Sequence, residues 1–323
     1  MITFFTTAKP FTGHNAVIQR NALKSWTLAA PDAEVILFGD EEGASEAARD
    51  LGIRHVREVE RVVEGGFNNP GFVSTNPGPK LLRSFFDAAQ RMARHDVVCY
   101  ANCDIVFMND FAAAVAKVQS ERREFLMVGR RWDVDVTTPI GFGERDWKEQ
   151  LRKHAKKQGQ QRSGDWIDYF AFRKGFYLGK MPEMVIGRVF WDQWLVWKAQ
   201  RMGAVVVDAS DLVMAIHQNH GYGYHPAGKT GVWTDALSQR NYELAGGRWY
   251  LRTIDDATHV LGPQGLRANA MRTKRTAERI FKTAKDATWM TVLDWTRPVR
   301  NAMGLRKKER AEKKEPAEKK EPA

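Results

Sequence analysis

The chain has 323 residues, 43% hydrophobic and 28% charged, near the averages for soluble globular proteins and unlike disordered, collagen-like or fibrous chains. No stretch approaches the roughly 18 uncharged apolar residues of a membrane span, and the start, Met1 to Pro10, lacks the basic and long apolar regions of a signal peptide, so a cytoplasmic protein is expected. The net charge of +11 would suit a nucleic-acid binder, but residues 266–323 hold 17 Lys and Arg against 8 Asp and Glu, leaving 1–265 at only +2, which argues against nucleic acid as the main partner.

In chain order, Ile2 to Thr7 is β-rich and ends at Lys9-Pro10, which predicts a strand and a turn. Asn15 to Trp26 reads as a helix with Val17, Ile18, Ala22 and Trp26 near one face. Glu34 to Phe38 is an apolar strand closing at Gly39-Asp40, Ser45 to Leu51 a short helix, and Ile53 to Val56 a third strand. A Gly-, Asn- and Pro-rich loop from Gly65 to Pro79 leads to a helix from Lys80 to Arg94 and a buried strand from Asp96 to Tyr100. Near-continuous apolar strands alternating with helices predict an α/β fold, with a mostly parallel sheet flanked by helices.

The second half carries predicted strands at Phe125–Gly129, Asp168–Phe172, Ala204–Asp208 and Leu212–Ile216, and helices at Trp147–Gln158 and Phe190–Arg201. No Pro- or Ser-rich linker divides residues 1–265, so they are expected to form one unit. In residues 266–303, Phe281, Ala284, Thr288, Val292 and Trp295 follow helical spacing among many basic residues. This extension reads as a helix docked on the body or as an amphipathic helix resting peripherally on an anionic membrane surface. Residues 304–323 repeat Ala-Glu-Lys-Lys-Glu-Pro and read as a disordered tail. Cys99 and Cys103 form no disulfide framework or zinc knuckle and are expected to be reduced, buried thiols.

Four constellations can carry chemistry. In Tyr100-Ala101-Asn102-Cys103-Asp104, two oxygen ligands two residues apart project to one side, just past a buried strand. Ligands of open α/β sheets bind there, and such a pair either holds a hard cation or satisfies a turn. His217, His220 and His225 crowd nine residues after a predicted strand; neutral imidazole suits manganese and zinc, whereas the spacing does not suit a zinc protease. Asp192, between Trp191 and Trp194, either caps a helix or lies beside aromatic faces that suit a sugar, with desolvation raising its proton affinity as a general base requires. Asp165 and Asp168 enter a strand beside Trp166 and Tyr169. The chain has no G-x-G-x-x-G or G-x-S-x-G motif, which argues against a fingerprint Rossmann enzyme and a serine hydrolase.

Taken in this order from about Ile2 to Trp233, these segments resemble the GT-A-fold nucleotide-diphospho-sugar glycosyltransferases, and are most similar to a group with plant and bacterial members. The resemblance implies a GT-A-like catalytic domain over 1–265 that moves a sugar from a nucleotide-diphosphate donor to a glycan or other hydroxyl acceptor. It implies Mn2+ or Mg2+ held by Asp104, with Asn102 departing from the family's two-acid pattern, and by a late histidine, His217 or His220. Asp192 is the implied carboxylate beside the acceptor. It serves as base if the transfer inverts, whereas Asp192 or Asp168 positions or stabilises if it retains. Thr6, Thr7 and Asp40 fall where such enzymes contact the nucleotide, and Lys80 and Arg131 are implied phosphate partners. Two other readings remain open: a non-catalytic sugar-nucleotide binding protein, and a metal-dependent nucleotidyltransferase or phosphohydrolase.

Overall fold

In a computed structural model, which describes residues 1–30, 32–62, 78–221 and 228–278, the first strand lies between two parallel partners. This explains why its neighbouring phenylalanines are both fully buried: they point to opposite, equally covered faces of the sheet. Phe4 packs on Trp26 and Phe111, with ring centroids 5.6 and 5.5 Å away. Phe5 meets the edge of Phe86 at 5.0 Å on the other side.

The amino-terminal half runs β1 (Ile2–Thr7), α1 (Gly13–Ala29), β2 (Glu34–Phe38), α2 (Ala44–Leu51), β3 (Arg54–Val56), α3 (Leu82–Met92), β4 (Val97–Ala101), β5 (Ile105–Val106) and α4 (Asn109–Glu121). It continues through β6 (Phe125–Val128), β7 (Arg131–Val134), α5 (Trp147–Gln158), β8 (Gln160–Gln161), β9 (Tyr169–Arg173), α6 (Trp191–Arg201), β10 (Val205–Asp208) and β11 (Ala215–Gln218). The last elements are α7 (Gly228–Thr234), α8 (Ala236–Ala245), β12 (His259–Gly262) and β13 (Gly265–Ala268).

The main sheet has the order β13-β12-β10-β6-β9-β4-β1-β2-β3. It is parallel except where β9 pairs with β4 and β6, and where β13 pairs with β12. The fold is therefore mixed α/β with a mostly parallel sheet flanked by helices. A smaller sheet, β5-β11-β7-β8, stands beyond the carboxyl end of β4. β7 (Arg-Trp-Asp-Val) and β8 (Gln-Gln) are short and carry polar residues, which is why periodicity did not announce them.

Two findings shift the expected boundaries. Leu212 and Val213 donate their amides to the Ala209 carbonyl in a turn, so β11 starts at Ala215 and His217 lies inside a buried strand instead of following one. At the other end, β13 carries the sheet through Ala268, and contacts divide the chain at 272/273. Residues 270–278 are helical. The rest of the expected extension, the tail, His225 and most of the loop from Gly65 to Pro79 lie outside the described residues. Among the described residues, no helix is long and apolar enough to cross a membrane. Cys99 and Cys103 are both free and buried.

Candidate active site

The turn after β4 is held from several directions. The Trp26 indole, itself fully buried, donates to the Ile105 carbonyl at 2.8 Å, and Ser25 Oγ accepts the Phe107 amide at 3.1 Å. Gln218 Nε2 donates to the carbonyls of Ile18 (2.7 Å) and Asp104 (3.1 Å), while its Oε1 accepts from Asn21 at 2.9 Å. A buried amide with all these partners is costly to disturb, so Asp104 has a fixed backbone. Sequence reasoning missed Gln218 because its role depends on contacts some 200 residues apart.

Asp104 then meets both histidines. The pairing of β11 with β5 sets His217 opposite Ile105, and its pairing with β7 sets His217 opposite Asp133. His220 Nε2 lies 2.9 Å from Asp104 Oδ2, and His217 Nε2 3.8 Å from the same oxygen. One ligand atom from each of Asp104, His217 and His220 lies within 4.8 Å of the others. His220 Nδ1 hydrogen-bonds the Gly221 carbonyl at 2.9 Å, a partner that fixes the tautomer presenting Nε2 to a metal. His217 Nδ1 lies 3.1 Å from Asp133 Oδ1 in an ion-pair contact without hydrogen-bond geometry. Burial works to raise the Asp104 carboxyl, but His217, His220 and Lys9 together hold it well below the usual carboxylate range. Its Oδ1 is buried without a hydrogen-bond partner.

Asn102 plays a different part from the one its spacing suggested. Its Nδ2 donates to Asp168 Oδ1 at 2.5 Å, and its Oδ1 accepts from the Tyr100 hydroxyl at 2.9 Å. Asp168 Oδ2 takes Arg131 Nη1 at 2.6 Å, and Arg131 Nε reaches Asp133 Oδ1 at 2.8 Å. A chain of hydrogen bonds thus runs from Tyr100 through Asn102 and Asp168 to Arg131, and ion-pair contacts continue it to Asp133 and His217. Arg131 lines the cavity, but two carboxylates engage its guanidinium and raise its proton affinity against the opposing effect of burial. Both Asp168 oxygens are likewise engaged.

All of these groups except Asp133 line one cavity of about 780 Å³, within the usual range for small-molecule sites. On the β1–β2 side it is bounded by Thr7, Lys9, Glu41, Arg61 and Lys80. Lys80 Nζ bonds Glu41 Oε1 at 2.5 Å, and Lys9 Nζ stands 3.2 Å from His220 Nε2. Burial lowers both ammonium pKa values, against the nearby Asp104 for Lys9 and Glu41 for Lys80. Thr6 is buried outside the lining, and Asp40 is exposed and paired with Arg61 at 2.9 Å. Glu41 and Asp133 went unremarked in the sequence, and Lys9 was read only as part of a turn, although its place just past the first strand could have marked it as a site residue.

Asp192 also lines the cavity, in the first turn of α6. It is half-buried, and its Oδ1 is sealed off without a hydrogen-bond partner. Burial pushes its carboxyl up to about 7, helped by Asp168 and Asp165 and opposed by the backbone amides of Gln193 and Asp192. Trp191 and Trp194 are 5% and 4% exposed and belong to the core. The flanking faces expected for a sugar are therefore spent on packing.

No protein-family model matches this sequence, and no curated protein does. Among solved structures, the chain is similar to a mannosyltransferase from Pyrobaculum calidifontis in complex with GDP-Man and Mn2+, at 17% identity and a TM-score of 0.41, over 69% of this chain and 58% of that one. It is similar to glucosyl-3-phosphoglycerate synthase from Mycobacterium tuberculosis in complex with Mg2+ and UDP, at 14% identity and a TM-score of 0.42, over 77% of this chain and 80% of that one. It is also similar to GalNAc-T7 with UDP, GalNAc and Mn2+, at 15% identity and a TM-score of 0.45, over 77% of this chain and 49% of that one.

Proposed function

We propose that the protein is a metal-dependent glycosyltransferase that moves a sugar from a nucleotide-diphosphate donor to a hydroxyl acceptor. The observation that carries this reading is one cavity holding two differently prepared centres: Asp104 with two imidazoles, and Asp192, a half-buried carboxyl with a pKa of about 7. The order of these segments along the chain supports it, through their resemblance to the GT-A glycosyltransferases.

A divalent ion suits the residues present. Asp104 Oδ1 is buried and lacks a hydrogen-bond partner, and a carboxylate with two imidazoles is a donor set for Mn2+ and its neighbours in the first transition row. Asp104, His217 and His220 would hold the ion, which when bound would offset the charge that develops on a leaving diphosphate. Lys9, Lys80 and Thr7 line the same end of the cavity, where phosphate oxygens would find donors.

On an inverting course, the bond between the anomeric carbon and the diphosphate oxygen breaks as the acceptor oxygen bonds to that carbon. The acceptor's hydroxyl proton passes to the Asp192 carboxylate, and the nucleoside diphosphate leaves. A base with a pKa near the working pH is effective in this role. Asp168, with both oxygens engaged, positions Asn102 and Arg131.

The test is incubation with UDP- and GDP-hexoses and Mn2+, with the released nucleoside diphosphate measured. Asp104→Ala should abolish transfer and donor hydrolysis while leaving the melting transition in place. An active Asp104→Ala refutes the reading. So does release of pyrophosphate, which marks a nucleotidyltransferase, or donor binding without turnover, which marks a binding protein.

A further inference from the structure

The wall around Asp192 says what kind of acceptor the cavity takes. Three observations meet there. The first is Trp233, in α7, which lines the cavity yet is 44% exposed. The fully buried aromatic side chains all have packing partners, whereas this ring offers its surface to whatever enters. The second is Phe190, which also lines the cavity and precedes α6 with φ +81° and ψ −22°. Among the described residues, Phe190 and Asp32 are the non-glycine residues with positive φ. A bulky side chain in that region is strained, and such strain concentrates at sites of function. Here it sets the Phe190 ring against Tyr242, with centroids 5.2 Å apart, at the start of the helix that carries Asp192.

The third observation is charge. Arg188 is held by Asp235 at 2.5 Å, and Arg131 by Asp168 and Asp133. Asp165 and Asp168 are carboxylates close enough to Asp192 to add to the effect of burial in raising its carboxyl. The cations on this wall are thus neutralised by their own partners, and the remaining charge is negative. An anionic acceptor would be repelled. A ring whose C–H faces lie on aromatic carbon, and whose hydroxyls meet a carboxylate, is accommodated.

We infer that Trp233 and Phe190 form an acceptor platform beside Asp192 that takes an uncharged sugar ring, with one hydroxyl directed at the Asp192 carboxylate. This rests on the glycosyltransferase reading and adds the acceptor's chemical class.

The probes are methyl glycosides of glucose, galactose, mannose and N-acetylglucosamine, with glycerol 3-phosphate as the anionic counter-probe. Saturation-transfer NMR and titrated tryptophan fluorescence are read on the full chain with Mn2+ and either UDP or GDP. At least one glycoside should bind the wild type, Trp233→Ala should weaken it at least about tenfold, and Trp233→Phe should keep most of the affinity. Unchanged melting transitions in both variants exclude a folding defect. The platform is overturned if no glycoside binds, if Trp233→Ala binds as the wild type does, or if glycerol 3-phosphate binds instead. A separate arm measures UDP and GDP binding to the wild type. If neither binds, the glycosyltransferase reading falls, while the platform is still judged on the glycosides.

Discussion

Replacing Asp192 by Asn should make the protein more stable at neutral and alkaline pH while removing its turnover. The carboxyl sits at about 7, against 3.8 for an aspartate in water, a roughly thousandfold gain in proton affinity, and each factor of ten corresponds to about 1.4 kcal/mol. Holding the ionised form in this site therefore costs at most about 4 kcal/mol, and solvent reaching the half-exposed side chain reduces that to about 2 kcal/mol. The native state binds this proton more tightly than the unfolded chain does. Stability is thus fully present below about pH 4, is lost as pH rises toward 7, and carries the whole cost above it. Asn has nearly the same shape and never ionises. Urea unfolding should then show a difference near zero at about pH 4 and a gain of about 2 kcal/mol for the variant at about pH 8, while nucleoside diphosphate release is lost. In the wild type, kcat/KM should fall about tenfold per pH unit below 7 as the base becomes protonated. A variant less stable than wild type at pH 8, or a difference that does not change with pH, would show that the native site stabilises the carboxylate and would remove the physical basis for its role as base.

Three further outcomes follow from the same geometry. Asp133→Ala removes the carboxylate 3.1 Å from His217 Nδ1 and should weaken Mn2+ binding by about 10- to 100-fold, the usual cost of losing an outer partner of a ligand; paramagnetic resonance titration with unchanged affinity would sink the positioning role. Asn102→Asp, which restores the two-acid pattern, should not strengthen Mn2+ binding: it sets a carboxylate 2.5 Å from Asp168 Oδ1 and should cost on the order of 2 kcal/mol of stability. Tighter Mn2+ binding with an unchanged melting temperature would contradict the network. Gly39 has φ +108°, and a Cβ there would lie 2.4 Å from Glu41 Oε2 and 2.8 Å from Lys80 Nζ. Gly39→Ala should therefore displace the Lys80–Glu41 pair, destabilise the fold by about 1–3 kcal/mol and weaken UDP or GDP binding in calorimetry; wild-type affinity and melting would refute it.

The parts of this site visible in the sequence are those set by local rules. The apolar run of β4 predicted a buried strand, and the end of such a strand is where Asp104 emerges. The meeting of Asp104 with residues 217 and 220 followed only from the resemblance, because it depends on β11 pairing with β5 across more than a hundred residues. Asn102 shows where spacing misleads. Two residues in an extended chain share a face, but the chain turns after Ala101, and the Asn102 side chain swings toward Asp168. Of the second sheet only β11 was partly anticipated; β7, Arg131 to Val134, was illegible because it carries an Arg and an Asp that face the site. Trp191 and Trp194 were read as sugar faces from their nearness to Asp192. Helical geometry instead turns them into the core, where Trp191 packs on Tyr100 at 5.4 Å.

The two aspartates of the cavity divide their roles through their neighbours. Both are desolvated, which by itself favours the protonated form of each. Around Asp104, two imidazoles and the Lys9 ammonium reverse that preference, leaving an anion with an open oxygen, as a cation ligand requires. Around Asp192, the nearest charges are other carboxylates, so the preference stands and the group can take up a proton near neutrality. Pairs of titratable groups driven apart in this way mark acid–base assignments in enzymes. The division also explains the Asn at position 102. An acid there would face Asp168 within hydrogen-bond distance and add a third carboxylate to a network in which Arg131 already serves two. The neutral amide instead donates to Asp168, which leaves Arg131 able to hold both Asp168 and Asp133, and through Asp133 the orientation of His217.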